Sequence, residues 1–241
     1  MYQNIHRFFT VPNIIWGSDS VRECLASEIK AIGIKKVALI TDKTIVQVGI
    51  AGAVESYLRS GNIEYFIYDD AESEPAFDII QTACDAVRSA NIDALVALGG
   101  GSVIDLAKAV SVILANGGDP LDYAGVGKVS KAGPPLIAIP TTAGTGSEVT
   151  PNAIFVHKEK QTKMGIVSQH ILPRVAIVDP QMTITVPPKI TAATGMDALC
   201  HAIESYISIK ASPLTDILSL QAIEYIGQNL RAAVKDGSNR D

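Results

Sequence analysis

The sequence predicts an α/β protein built on a parallel sheet, and the expectation rests on two patterns. From about Ile34, short β-branched apolar runs alternate with amphipathic stretches of helical length. Such stretches can cross back over a sheet, which gives right-handed βαβ units. Helix-stop residues also fall where the alternation needs them: Gly61 follows the first helical run and Asn91 the second, as expected where the backbone turns left-handed.

In chain order, KKVALITD (35–42) reads as a strand and IAGAVESYLRSGN (50–62) as a helix. IEYFIYDD (63–70) is a second strand and AFDIIQTACDAVRSAN (76–91) its helix. IDALVALGG (92–100) is a third strand leading into the helix SVIDLAKAVSVILAN (102–116). From about Asn116 to Pro135 glycine and proline are too frequent for an element interior, so a long loop is expected. PLIAIP suits a buried strand that delivers the loop TTAGTGSEVT. AIFVH and KMGIVS flank KEKQT as a hairpin, and RVAIVDP is a further strand. The first domain is expected to close near Pro187, giving residues 1–187 and 188–241 as two domains. After Pro187 the pattern is helical, in TAATGMDALCHAIESYISI and, past a Ser212-Pro213 start signal, LTDILSLQAIEYIGQNLRAAV. Two such helices cannot bury their apolar faces on each other alone, so the helical domain reads as incomplete and its faces as prone to association.

Composition narrows the function. The chain has 241 residues, 47% hydrophobic and 19% charged, which excludes a disordered tail or a collagen-like repeat. Twenty basic against twenty-five acidic residues leave a net charge of −5 and no dense basic stripe, so nucleic acid is not an expected partner. No apolar run approaches the ~18 residues of a membrane span, and the start MYQNIHRFFTVPNIIWG has no secretory pattern, so no membrane is expected and the cytoplasm is. Cys24, Cys84 and Cys200 are odd in number and far apart, which reads as three small buried hydrophobes.

Four features could carry chemistry. Gly99, Gly100, Gly101 and Ser102 lie between a predicted strand and a predicted helix, where bare amides and a helix N-terminus suit a dinucleotide pyrophosphate; a tight turn would explain them equally well. Thr141, Thr142, Gly144, Thr145, Gly146 and Ser147 form a second hydroxyl-rich loop after a buried strand, which could hold a ribose, a pyrophosphate or the amide of a nicotinamide ring; an ordinary loop of turn formers explains it equally well when taken alone. Asp42 ends its own strand, where a carboxylate can accept from ribose hydroxyls and repel a 2′-phosphate, or simply face solvent. Ligands of open α/β sheets lie beyond the carboxyl ends of the strands, so these features point one way. Asp197 and His201, four apart in a predicted helix with Glu204 near the same stripe, could chelate a divalent metal or form a solvated ion pair. His6, His157 and His170 have no helical spacing to that pair and are expected on the surface or in the hairpin.

Taken together, ALGGGSVIDLAKA, IPTTAGTGSEVTPNAIF and GMDALCHAIESYISIKASPLTD resemble the iron-containing (group III) alcohol dehydrogenase family, in order and spacing and along essentially the whole chain. The resemblance implies an N-terminal NAD-binding α/β domain followed by a helical metal-binding domain, a dehydroquinate synthase-like architecture with the active site between the two. It implies hydride transfer between NAD and a small primary alcohol or aldehyde, with a divalent metal, iron ahead of zinc, as the Lewis acid on the substrate oxygen. Carried onto this sequence, Gly99 to Ser102 would hold the pyrophosphate, and Thr141, Thr142 and Thr145 the pyrophosphate and nicotinamide side. Asn152 and Lys163 would lie nearby, Asp42 by the adenosine ribose, and Asp197 and His201 on the metal, as two of its ligands. A homo-oligomer is expected. Two departures stand out. Glu74-Pro75 replaces the Asn-Pro often found in the family, and the sequence stops at Asp241 before the family's two further histidine ligands, which reads as a truncated member. The alternatives on the same scaffold are a glycerol dehydrogenase- or dehydroquinate synthase-like enzyme and a non-catalytic nucleotide-binding fragment.

Overall fold

The computed structural model describes residues 8–239. His6 lies outside them. The described chain divides into two units, one comprising Thr10–Thr141 and Ser147–Met182, the other holding Thr142–Gly146 and the chain from Thr183 onward.

The larger unit is an α/β layer structure. Six of its strands are β1 (Asn13–Trp16), β2 (Lys36–Ile40), β3 (Glu64–Tyr68), β4 (Ala94–Gly99), β6 (Leu136–Pro140) and β9 (Val175–Val178). They form one sheet in the order β1-β9-β6-β4-β2-β3, with every pairing parallel. Helices α1 (Ser20–Ala31), α2 (Lys43–Gln47), α3 (Ile50–Ser60), α4 (Phe77–Ser89) and α5 (Gly101–Asn116) make the connections. A parallel sheet covered on both faces needs apolar residues at successive positions, and β4 supplies them in alternation. Leu95 and Ala97 join the core formed with α4 and α5, while Val96 and Leu98 join the opposite core with Val21 and Leu25 of α1 and Val54 of α3.

The strand order reverses once. The chain goes from β2 outward to β3, then back across β2 to β4. The carboxyl ends of β2 and β4 therefore flank a switch point, the place where open α/β sheets receive ligands.

A three-stranded sheet completes the larger unit. β7 (Asn152–His157) and β8 (Thr162–Val167) form the expected antiparallel hairpin, and β5 (Gly125–Val126) pairs parallel with β8. The segment expected as a long loop from 116 to 135 thus contains β5 and a 3-10 turn at Pro120–Tyr123. Pro120 presets the turn and the Asp119 carboxylate accepts from the Leu121 amide, a local device that overall Gly and Pro content hides. β1, α1 and α2 precede or interrupt the strand–helix pattern and were not anticipated. Asp19, the N-cap of α1, has a left-handed φ of 64° and provides no side-chain cap. The buried Asp179 carboxylate, just after β9, accepts instead from the amides of Asp19, Val21 and Gln181.

Gly61 also differs from its expected role. Its φ is −78°, and the left-handed turn falls on Asn62 at φ 53°. Glycine is needed at 61 for room: a Cβ there would lie 2.7 Å from Cβ of Ala26 on α1. Asn91 does take the left-handed conformation, at φ 51°. The cysteines divide: Cys84 is buried, Cys24 half-buried and Cys200 exposed on its helix, so only Cys84 is the buried hydrophobe expected of all three.

The other unit contains α6 (Pro188–Ile207) and α7 (Pro213–Lys235). Ser212 caps α7 in a reciprocal capping box with Thr215, ahead of Pro213. Only Gly195 and Ala202 of α6 and Ser219 of α7 are buried. Ile207, Ile209, Ile217 and Tyr225 are among the exposed apolar side chains. No helix among the described residues is long and apolar enough to cross a membrane.

The Gly61 contact gives a direct test. Gly61→Ala forces α1 and α3 apart and is expected to lower stability by about 1–3 kcal/mol in urea unfolding, the usual cost of overpacking. An unchanged midpoint would show that the two helices adjust freely.

Candidate functional site

At the switch point the sheet presents two features side by side. Asp42 follows β2 and caps α2, its Oδ1 accepting from the Ile45 amide at 3.0 Å. Gly99 ends β4, and Gly100 leads into α5 with no side chain capping the helix. The amides of Val103 and Ile104 turn back to the Gly100 carbonyl. The first two helical amides, of Gly101 and Ser102, consequently have no acceptor in their own helix, and the helix dipole adds partial positive charge there. Gly99 is also sterically fixed, since a Cβ would fall 2.5 Å from Cγ2 of Val103.

The strands at this rim are stitched together. Thr41 Oγ1 donates to the Leu98 carbonyl at 2.8 Å, and the Thr141 amide donates to the Gly99 carbonyl at 3.1 Å. Asp42, Gly99 to Ser102 and Thr141 thus follow three adjacent strands, β2, β4 and β6, on one edge of the sheet.

Asn152 and Lys163 lie on the hairpin of the same unit, both exposed. Lys163 Nζ is 2.7 Å from Oε1 of Glu74, and this pairing holds the Glu74 carboxyl below its ordinary range. Glu74 itself sits at φ 51°. The residue that departs from the family's Asn-Pro therefore ion-pairs a side chain expected near the cofactor. A second ion pair, Lys158 with Asp78, ties the same hairpin to the first turn of α4.

Sequence reading missed the group beneath this site. Lys108 of α5 is fully buried, and its Nζ donates to Ser147 Oγ at 2.8 Å, to the Asn152 carbonyl at 2.6 Å and to Thr150 Oγ1 at 3.4 Å. Asp105, one turn earlier, lies 3.5 Å from Lys108 Nζ. Its Oδ1 accepts from Ser147 Oγ and its Oδ2 from the Ile154 amide at 2.9 Å. Burial pushes the Lys108 ammonium down to about 8, against the opposing pull of Asp105. Burial likewise raises Asp105 and Glu148, with Lys108 opposing both shifts. The sequence did carry a signal, two opposite charges three apart in a helix whose neighbouring positions are almost all apolar.

The remaining predicted residues belong to the smaller unit. Thr142 is half-buried and Thr145 exposed, in a loop that lies close against α6: a Cβ on Gly144 would stand 2.9 Å from the Thr194 carbonyl oxygen. Asp197 and His201 project from α6 with Oδ1 and Nε2 3.8 Å apart, each about half exposed at 47% and 53%. Their chemistry suits a divalent cation. Among the described residues, however, no group of three or more His, Cys, Asp or Glu side chains could hold a metal. Two exposed donors do not close a cage, so these residues alone do not fit a bound metal and support no step through one. A cavity of about 560 Å³ in the same unit is walled by residues of α6, α7 and the 142–146 loop, and Asp197 and His201 are not among its lining.

Residues 12–180 match the iron-containing alcohol dehydrogenase family, and residues 191–241 match the C-terminal part of the Fe-containing alcohol dehydrogenase family. The chain belongs to the iron-containing alcohol dehydrogenase family. This family member is 40% identical over 232 residues to the NAD-dependent methanol dehydrogenase of Bacillus methanolicus, covering 96% of this chain and 61% of that protein. It is 39% identical to the 1,3-propanediol dehydrogenase of Klebsiella pneumoniae, over 96% of this chain and 60% of that one. Among solved structures it resembles a 1,3-propanediol oxidoreductase, with a TM-score of 0.94 and 37% identity over 98% of this chain and 62% of the other. It also resembles the sulfoacetaldehyde reductase of Bifidobacterium kashiwanohense in complex with NAD+, with a TM-score of 0.88 and 34% identity over 98% of this chain and 62% of that one. The chain spans about three fifths of the length of these relatives.

The buried pair makes a testable distinction. Lys108→Met strands the Asp105 carboxylate and is expected to cost about 3–5 kcal/mol, whereas the double change D105N/K108M is expected to be close to neutral. Urea unfolding of the two variants checks this, and equal losses would contradict the pairing.

Proposed function

We propose that this chain binds NAD across the carboxyl ends of β2 and β4, as part of an oxidoreductase that interconverts a small primary alcohol and its aldehyde. The observation that carries the reading is the juxtaposition of Asp42 with the uncapped first turn of α5 at the sheet's switch point. Family membership and the NAD+ complex of a related reductase support it. In this reading the amides of Gly101 and Ser102 receive the pyrophosphate oxygens, with Gly99 and Gly100 giving the backbone close approach. The Asp42 carboxylate keeps one oxygen on the Ile45 amide and accepts from the adenosine ribose hydroxyls, so a 2′-phosphate is repelled. Thr141, Thr142, Thr145, Asn152 and Lys163 are assigned to the remaining polar contacts of the cofactor. Bound there, the nicotinamide supplies the hydride acceptor or donor of the reaction. Asp197 and His201 are proposed as two ligands of a divalent metal, iron ahead of zinc.

The two-donor metal pair favours a second reading, in which the 241-residue chain binds the nucleotide without catalysis. Calorimetry separates the two: saturable, stoichiometric uptake of Fe²⁺ or Zn²⁺ by this chain would sink the non-catalytic reading, and NAD binding without metal uptake would favour it. The exposed apolar side chains of α6 and α7 support self-association. Light scattering is expected to return a mass above 25.5 kDa, and a monodisperse monomer would contradict this.

Cofactor choice tests the main reading. Asp42→Ala is expected to weaken NAD+ binding about ten- to hundredfold, the value of a hydrogen bond to a charged group, and to narrow the preference over NADP+. Unchanged affinity for both cofactors would remove Asp42 from the site.

A further inference from the structure

Helix α5 carries two functional points on one rigid rod, at its first turn and at its middle. Its first turn is the proposed phosphate seat, and about two turns along it Lys108 grips the segment that opens the β7–β8 hairpin. We propose that Lys108, seated on Asp105, is a positioning residue for the dinucleotide: its ammonium braces residues 147–154 on α5, so that Asn152 keeps a fixed place relative to the phosphate-binding turn. The inference rests on the NAD reading above and adds to it a residue that touches neither cofactor nor substrate.

The contacts are arranged as a brace. Lys108 holds Ser147 Oγ, Thr150 Oγ1 and the Asn152 carbonyl, while Asp105 holds Ser147 Oγ and the Ile154 amide. Four alternate or near-alternate points of one segment are thereby tied to a single turn of helix. Stability alone does not call for a charge here, because an apolar side chain of similar volume would be at least as favourable in so buried a position. What the ammonium adds is direction, with three protons for three oxygen acceptors. The neutral amine has two and cannot serve them all.

Protonation is therefore a natural handle. The groups that face Lys108 are Asp105 on its own helix and Glu148 in the 3-10 turn Ser147–Val149, both acidic, and burial still brings the ammonium down to about 8. Above that pH the brace loses its charge. The two consequences have opposite signs. The unfolded chain keeps the lysine proton up to its ordinary value of 10.5, so between about 8 and 10.5 this group makes folding stability rise with pH, while cofactor affinity falls. A purely structural role would move stability alone.

The experiment is an NADH fluorescence titration of the 241-residue chain and of D105N/K108M at pH 7 and pH 9, with urea midpoints recorded for each. The unaltered chain is expected to bind about tenfold more weakly at pH 9, as the ammonium fraction drops from about nine tenths to about one tenth. The double variant should bind at least about tenfold more weakly at pH 7 and show no further loss at pH 9. Amide hydrogen exchange should be faster in its residues 147–154, with β4 and α5 still protected. Equal NADH affinity in the two proteins, or a pH-independent affinity in the unaltered chain, overturns the positioning role and leaves the NAD reading standing. Absence of NADH binding by the unaltered chain overturns both.

Discussion

The constraint on which the rest depends is the burial of α5. From Val103 to Ile113 every residue of this helix is buried, against β4, β6, α4 and the hairpin. A helix enclosed in this way cannot tilt or slide without opening the core, so its N-terminus is held at the end of β4 beside Asp42. The same enclosure forces any charge it carries to find partners inside the protein, and Lys108 and Asp105 find theirs in the segment leading into the hairpin. One packing condition thus presents at the rim two amides without an acceptor in their own helix and anchors residues 147–154.

Much of this was legible from residue order. The alternation of β-branched runs with amphipathic stretches located the central strands and their helices, and Gly99 to Ser102 marked a strand-to-helix turn; that this turn lies where the strand order reverses is visible only in the sheet. What escaped depended on contacts between distant residues. α1 is capped by Asp179, 160 positions from Asp19, a partnership that no local pattern encodes. Gly61 looked like a helix stop and proves to be a contact point for Ala26, since a glycine's shape does not say which of its two uses applies. Asp105 and Lys108 were visible as charges in an apolar helix, but their acceptors lie some forty residues on, in a loop whose composition reads as ordinary turn formers.

The helical unit is the counterpart. Asp197 and His201 stand on one face of α6 as their spacing requires, yet they remain half exposed and two in number. The exposed apolar side chains of the same unit, with Ile209 fully exposed, have the composition of an interior without its neighbours. Relatives in the family are longer by about two fifths of their length, and the larger α/β unit already contains a complete sheet with both faces covered. The proposed nucleotide site and the proposed metal site therefore rest on unequal foundations: the first draws on a sheet covered on both faces and the second on a pair of donors.

The central claim is that the switch-point rim receives the cofactor, and nitrogen-15 NMR of the 241-residue chain during an NAD+ titration tests it most directly. The amide resonances of Gly100, Gly101, Ser102 and Asp42 should shift together and saturate at one concentration, ahead of those on the opposite edge of the sheet. Saturating shifts confined to other residues, with these four unmoved, would contradict the account.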